Sequence, residues 1–197
     1  FGSTPDGMVF FAMELLQGHD LHEEIARARL AKVRLPWERS RKIFLQVCSA
    51  LSAAHGHGII HRDLKPENIY LVEWLGHKDF VKLLDFGIAK LLEAEPGSAA
   101  GTLRVLTPRY ASPEQVRGEP VTTATDVYSL GVLLFELLTG RGPYREVTPE
   151  SSPLAVMEAI RDATPERPGA VAAAGHPFGR DLDAIVLRAL RKNPHER

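Results

Sequence analysis

Cysteine is almost missing from this chain. Cys48 is the only one among 197 residues, so a disulfide framework is excluded. A reducing, cytoplasmic setting is expected, with Cys48 as a small core residue in a helical pattern. Charge of one sign is missing as well. The net charge is −1, which gives no reason to expect nucleic acid as a partner. No apolar run reaches the roughly 18 residues that a membrane-spanning helix needs. No segment has the composition of a secretory leader. There are no internal repeats, and only Val171-Ala172-Ala173-Ala174 is biased enough to read as a flexible loop. What remains is a chain with 44% hydrophobic residues, enough for the core of one domain.

One short run, His61-Arg62-Asp63-Leu64-Lys65-Pro66-Glu67-Asn68, packs an acid, a base, an amide and a rigid proline together. Helical periodicity precedes it and an apolar run follows. Such a cluster between two ordered elements reads either as a capped surface loop or as a site. In the second reading, Asp63 accepts a proton from a hydroxyl and Lys65 neutralises a phosphoryl oxygen. Asn68 offers a neutral oxygen suited to a hard cation such as magnesium. A second signal favours the site: Asp85-Phe86-Gly87 closes the alternating run Val81 to Leu84. His55, His57 and His61 do not read as a metal site. Glycines break their helical spacing and no cysteine or second histidine pair completes a tetrahedral set.

The remaining elements follow from periodicity and punctuation. Two short strands, Phe1-Gly2 and Val9 to Glu14, flank a turn at Thr4-Pro5-Asp6-Gly7. Leu21 to Lys32 reads as a helix, for which Asp20 is the natural N-cap. Pro36 starts a second helix that runs to about His55, with Ile43, Phe44, Val47, Cys48 and Leu51 on one face and Gly56 and Gly58 as its stop. Ile69 to Trp74 and Phe80 to Leu84 form a hairpin around Leu75-Gly76-His77-Lys78. The two ends of that hairpin carry Asn68 and Asp85, so one element brings both oxygen ligands to the same mouth. Asp126 opens an apolar helix that runs to about Leu138 and stops at Thr139-Gly140. A helix apolar all round is buried, so Asp126 is a charge at a buried helix start, satisfied by helix-terminal N–H groups and the backbone of the 61–68 loop. Pro153 to Asp162 and Asp181 to Arg191 are two further amphipathic helices.

The pair H-R-D-L-K-P-E-N and D-F-G, in that order, resembles the protein kinase family. Lys65 followed by Pro66-Glu67-Asn68 resembles the serine/threonine type. The resemblance covers the large, C-terminal lobe nearly end to end, with a bacterial style to its motifs. It implies an α+β fold: a mainly α-helical lobe with short β-hairpins and most of the N-terminal lobe absent. Residues 1–197 would be a partial kinase domain, with 1–16 as the end of the small lobe and the hinge, and 17–197 as the large lobe, truncated at its C-terminal end.

The resemblance also assigns roles. Asp63 is the base, Lys65 steadies the transferring group, and Asn68 and Asp85 hold Mg2+. Met13 is the gatekeeper beside the adenine of ATP, and the backbones of Glu14 and Leu16 face its edge. Asp20 reaches the ribose, a role compatible with an N-cap. Tyr70 stands beneath the adenine where the family usually has an aliphatic residue. Residues 85–114 are the activation segment, with Ser98 and Thr102 as candidate phosphosites and Arg62 as their receptor. Thr107 bonds Asp63 and Lys65, although Leu106 precedes it where glycine is usual. Glu114 belongs to an A-P-E-like motif in which Ser112 replaces alanine, and it pairs with Arg197. The partner implied is a protein carrying a serine or threonine acceptor; oligomeric state is not legible.

Other kinase signatures are absent. The chain has no G-x-G-x-x-G loop, no V-A-I-K lysine and no partner glutamate on a following helix. These parts position the ATP phosphates. The chain is therefore read as an internal fragment of a longer kinase, with little activity of its own. Two other readings are weighed. A pseudokinase scaffold is disfavoured because the large-lobe chemical positions are filled. A small-molecule kinase is disfavoured by Thr107 to Glu114, which resembles a protein-docking loop.

Overall fold

The computed structural model describes residues 2–4, 6, 8–10, 12–86, 108–172 and 179–197. They form a mixed α and β structure. β1 (Gly2–Ser3) pairs antiparallel with β2 (Val9–Phe10), Gly2 opposite Phe10. Thr4 closes this hairpin through its backbone N–H to the Met8 carbonyl at 2.8 Å. β2 stops at Phe10 rather than reaching Glu14, and residues 12–17 are irregular. β3 (Gly18–Asp20) then joins β4 (Ile69–Trp74) and β5 (His77–Leu83) in an antiparallel sheet of order β3-β4-β5. Gly18 is required there: a Cβ would stand 2.1 Å from the Leu71 carbonyl oxygen.

The β4–β5 hairpin is tighter than expected. Its turn is only Leu75-Gly76, at φ +49° and +77°, and β5 starts at His77 rather than Phe80. Two positive φ values suit the primed turn that matches strand twist, but leucine disguises it in the sequence. A bulge follows, where the register shifts between Val72 and Trp74 and Asp79 takes φ +60°. The bulge is stapled to the neighbouring helix. Arg39 makes two bonds to the Asp79 carboxylate, at 2.7 and 2.8 Å, and a third to Glu24 at 2.5 Å. Gln46 bridges the Asp79 carbonyl and the Val81 N–H.

Seven α-helices lie among the described residues. α1 (Leu21–Leu30) is N-capped by Asp20, whose side chain accepts from Glu23 N–H at 2.8 Å. α2 (Trp37–Gly56) has Pro36 at its N-cap, one place earlier than the favoured first helical position. Ile43, Val47 and Leu51 on its inner face are buried. α3 (Pro113–Arg117) opens with a capping box between Ser112 and Gln115 and ends on Gly118 at φ +68°. α4 (Thr123–Thr139) begins three residues before Asp126, because Thr122 and Thr125 supply the cap. α5 (Pro153–Asp162) is capped by Ser152. α6 (Pro168–Val171) is a single turn and takes up the start of the expected flexible loop. α7 (Arg180–Ala189) ends two residues before the expected Arg191.

α4 is the axis. Leu133 and Leu137 pack with α1, α2, Leu64, Ile69 and Val81. Tyr128, Val132, Phe135 and Leu138 pack with Tyr144, α5, Val186 and Leu190. The two clusters divide the core between the sheet side and the α5–α7 side. Gly131 lets α7 approach closely, since a Cβ there would lie 2.8 Å from the Ala189 Cβ.

Candidate active site

The 61–68 loop leaves α2 and enters β4 through a 3-10 turn at Pro66–Asn68. Two devices fix its shape. From beneath, the Asp126 carboxylate on α4 accepts the His61 and Arg62 N–H groups, each at 2.9 Å, and a bond from His55 Nε2 at 2.7 Å. Asp126 is therefore not the helix cap; Thr122 is. Its charge is spent on loop backbone, which explains how it sits fully buried. From the side, Gln115 donates to the Arg62 carbonyl at 2.7 Å. Arg62 takes φ +67°, and this kink turns the chain toward Asp63. Its Nε is buried with no hydrogen-bond partner among the described residues.

Asp63, Lys65 and Asn68 are brought together. Lys65 Nζ lies 3.0 Å from Asp63 Oδ2. Asn68 Nδ2 donates to the Asp63 carbonyl at 2.8 Å and approaches its Oδ2 at 3.5 Å. With its NH2 so used, the amide has its oxygen left to offer a ligand. Ile69 pairs with Leu83, and Leu84 N–H donates to the Asn68 carbonyl at 2.9 Å. Asp85 is thus one residue beyond a direct tie to Asn68, exposed, with φ +50°. An amide oxygen and a carboxylate at one mouth are a donor set that fits a hard divalent cation. His61 is fully buried against Phe86, ring centroids 4.8 Å apart, and burial holds its imidazole below its ordinary value. His61 is thus a neutral packing residue near neutral pH.

The residues expected around a nucleotide are spread along the neighbouring edge. Met13, Glu14 and Leu15 are exposed, and Leu16 is half-buried. The Glu14 carboxylate pairs with Lys82 on β5, so its backbone is the part left to face a ligand. Asp20 and Tyr70 sit opposite each other in the β3–β4 pairing. The Tyr70 hydroxyl donates to the Gly18 carbonyl at 2.9 Å, which ties the aromatic ring to β3. Ser98, Thr102 and Thr107 lie outside the described residues.

A second anchor holds the segment after residue 107. Arg197 grips Glu114 with two bonds, at 2.6 and 2.7 Å, and both side chains are 1% exposed. Thr125 adds a bond to Glu114 at 2.9 Å. Burial pushes the Glu114 carboxyl up, but the Arg197 bonds outweigh it and hold the group below its ordinary value. Tyr110 precedes α3. Its hydroxyl donates to Glu136, and its carbonyl accepts from Ser129 at 2.8 Å. Burial, then the Glu136 charge, raise the Tyr110 phenol well above its ordinary range.

Several of these partners have no sequence signal. His55, Gln115, Glu136 and Arg29, which pairs with Glu136 at 2.7 Å, meet groups far away in the chain. Ser112-x-x-Gln115 is a legible capping box, but nothing in it says that Gln115 also reaches Arg62.

Residues 3–197 match the family model of the protein kinase domain. The chain is 41% identical to serine/threonine-protein kinase pkn3 of Myxococcus xanthus, over all of the chain and 35% of that protein. It is 45% identical to Pkn1 of the same organism over 79% of the chain and 21% of that protein. It is 39% identical to PknB of Mycolicibacterium smegmatis over 98% of the chain and 29% of that protein. The chain thus spans about a fifth to a third of the length of these relatives. With a family model matched over almost every residue and relatives above 30% identity, the chain belongs to the protein kinase domain family.

Proposed function

We propose that this chain is the large-lobe part of a serine/threonine protein kinase, which transfers the γ-phosphoryl group of ATP to a serine or threonine hydroxyl of a protein. The observation that carries the reading is the Asp63–Lys65–Asn68 cluster, held within one loop beside Asp85. The names of the relatives support the serine/threonine type.

Asp63 orients the acceptor hydroxyl and takes its proton. Lys65, 3.0 Å away, sets a positive charge beside that point and steadies developing negative charge on the transferring group. Asn68 and Asp85 are the residues that would hold Mg2+, which when bound neutralises phosphate charge. Met13, Glu14 and Leu16 would frame the adenine, Tyr70 would lie beneath it, and Asp20 would meet the ribose while capping α1. Arg62, whose Nε has no partner among the described residues, would receive a phosphate on Ser98 or Thr102, and Thr107 would join Asp63. Glu114, Arg197 and Asp126 would hold these parts in register. A cytoplasmic location is part of the same reading; among the described residues no helix is long and apolar enough to cross a membrane. Because the glycine-rich loop and its lysine are not in these residues, the 197 residues alone are expected to bind ATP weakly and transfer little.

The test is Asp63→Asn in the kinase that carries this domain. The amide keeps the shape and loses the proton acceptor, so transfer falls by about 10²–10⁴-fold while nucleotide binding persists. Turnover near wild type rejects Asp63 as the base.

A further inference from the structure

We propose that Lys192 is a positioning residue for the protein substrate: it locks α5 and the 144–148 loop against the Glu114–Arg197 anchor, and through them the 108–110 turn. The proposal rests on the kinase reading above.

Lys192 is a lysine with an unusual site. It is half-buried just after α7, and its amine donates inward. Nζ reaches the Ile160 carbonyl at 2.5 Å and the Tyr144 hydroxyl at 2.8 Å, and stands 4.4 Å from the centre of the Tyr144 ring. Ile160 is in the last turn of α5, where carbonyls lack helical partners and a cation is favoured. Among the described residues no carboxylate touches the amine. The charges that act on it are Arg117 and Arg197, opposing its proton, and Asp162, favouring it. Burial first, then Arg117, lower its pKa to about 8. The amine thus sits in a partly buried place, directed at the Ile160 carbonyl and the Tyr144 hydroxyl.

Lys192 joins two regions through its amine and its backbone carbonyl. On one side the Lys192 carbonyl accepts from Arg197 Nη2 at 3.3 Å, and Arg197 lies over the Tyr128 ring at 5.0 Å. The Tyr128 hydroxyl bonds that of Tyr144. On the other side the loop after Tyr144 reaches the segment before α3, where Arg109 donates to the Thr148 carbonyl at 2.6 Å. A cavity lined by Arg109, Tyr110, Tyr144, Val147, Val156 and Ile160 lies between these parts. Two walls of that cavity, Tyr144 and Ile160, are groups that Lys192 holds, and neither belongs to the nucleotide side.

The test uses the kinase that carries this domain, with Lys192→Met, Lys192→Arg and the milder Tyr144→Phe, which keeps the ring and removes the hydroxyl. Amide hydrogen exchange is the first readout. Lys192→Met should speed exchange by tenfold or more in residues 108–117 and 144–151 and leave 61–72 at the wild-type rate. Tyr144→Phe should give the same pattern more weakly, and Lys192→Arg should restore most of the protection. The second readout is kinetics with dephosphorylated casein: the Met variant should raise KM for casein at least fivefold, with KM for ATP unchanged. Exchange changes confined to residues around 160 and 192, or equal rises in both KM values, overturn the proposal. If the wild-type protein fails to phosphorylate casein or any other protein while the exchange pattern appears as expected, the kinase reading fails and the coupling stands.

Discussion

Four carboxylates divide the lower part of the molecule into two regions. Asp126 and Glu114 are at most 1% exposed, and each accepts three bonds from neighbouring groups. Asp63 and Asp85 stand at the open edge. Asp63 keeps 20% of its side chain in solvent beside Lys65, and Asp85 is exposed. The backbone differs in the same sense. Asp126 and Glu114 lie in regular helices, whereas positive φ occurs at Arg62, next to Asp63, and at Asp85 itself. A buried anion ringed by donors is closed to a substrate, so its role is to hold shape. An anion at a kinked edge that still reaches solvent can be met by a ligand.

This division makes stability and activity separable. The largest stability effect is expected for Arg197→Ala, which leaves Glu114 buried without its fork. The loss should be about 3–5 kcal/mol, read from denaturant unfolding. A loss under 1 kcal/mol would remove Glu114 from the frame.

Asp126→Asn is expected next. The amide can still accept but cannot match a carboxylate with three donors, so roughly 1–3 kcal/mol is lost. Protection of the His61 and Arg62 amides should fall with it in hydrogen exchange. Unchanged protection would mean that the loop is held from elsewhere.

The smallest effects are in pH. Glu114 has a lowered folded-state pKa, so its contribution is present above about 4.5, its ordinary value, and is lost as pH falls through the folded value. Lys192 works in the opposite direction. Its folded pKa of about 8 lies below the ordinary 10.5, so the folded state binds fewer protons and stability rises between those pH values. Lys192→Met should flatten that alkaline rise, and Glu114→Gln should flatten the acid loss. Melting curves from pH 3 to 11 report both. A wild-type alkaline slope in Lys192→Met would show that another group titrates.

Much of this frame was legible in the sequence where the signal is local. The spacing of Ile43, Val47 and Leu51 marked the buried face of α2, and Asp20 before Leu21 marked the start of α1. Asn68 and Asp85 at the two ends of one hairpin pointed to a shared mouth. Errors arose where a residue departs from its habit. Leu75 in a left-handed turn hid the true start of β5, and Asp126 resembled the first helical residue because the Thr122 cap is a weaker signal. The partners of the buried anions were legible only in part. The family resemblance paired Glu114 with Arg197, 83 residues away, and the 61–68 backbone was expected at Asp126, but His55, 71 residues from Asp126, and Thr125 at Glu114 had no signal. Such pairs are set by packing on α4, which no local pattern reports.

The central claim is that the open carboxylates do the chemistry and the buried ones hold the frame. One paired measurement tests it most directly: phosphoryl transfer to casein and unfolding free energy, determined together for wild type, Asp63→Asn and Arg197→Ala in the kinase that carries this domain. Asp63→Asn should lose transfer by about 10²–10⁴-fold and keep its unfolding free energy within about 0.5 kcal/mol. Arg197→Ala should lose about 3–5 kcal/mol and, in the fraction still folded, retain transfer that Asp63→Asn has lost. Asp63→Asn with wild-type transfer, or with a stability loss as large as that of Arg197→Ala, would contradict the account.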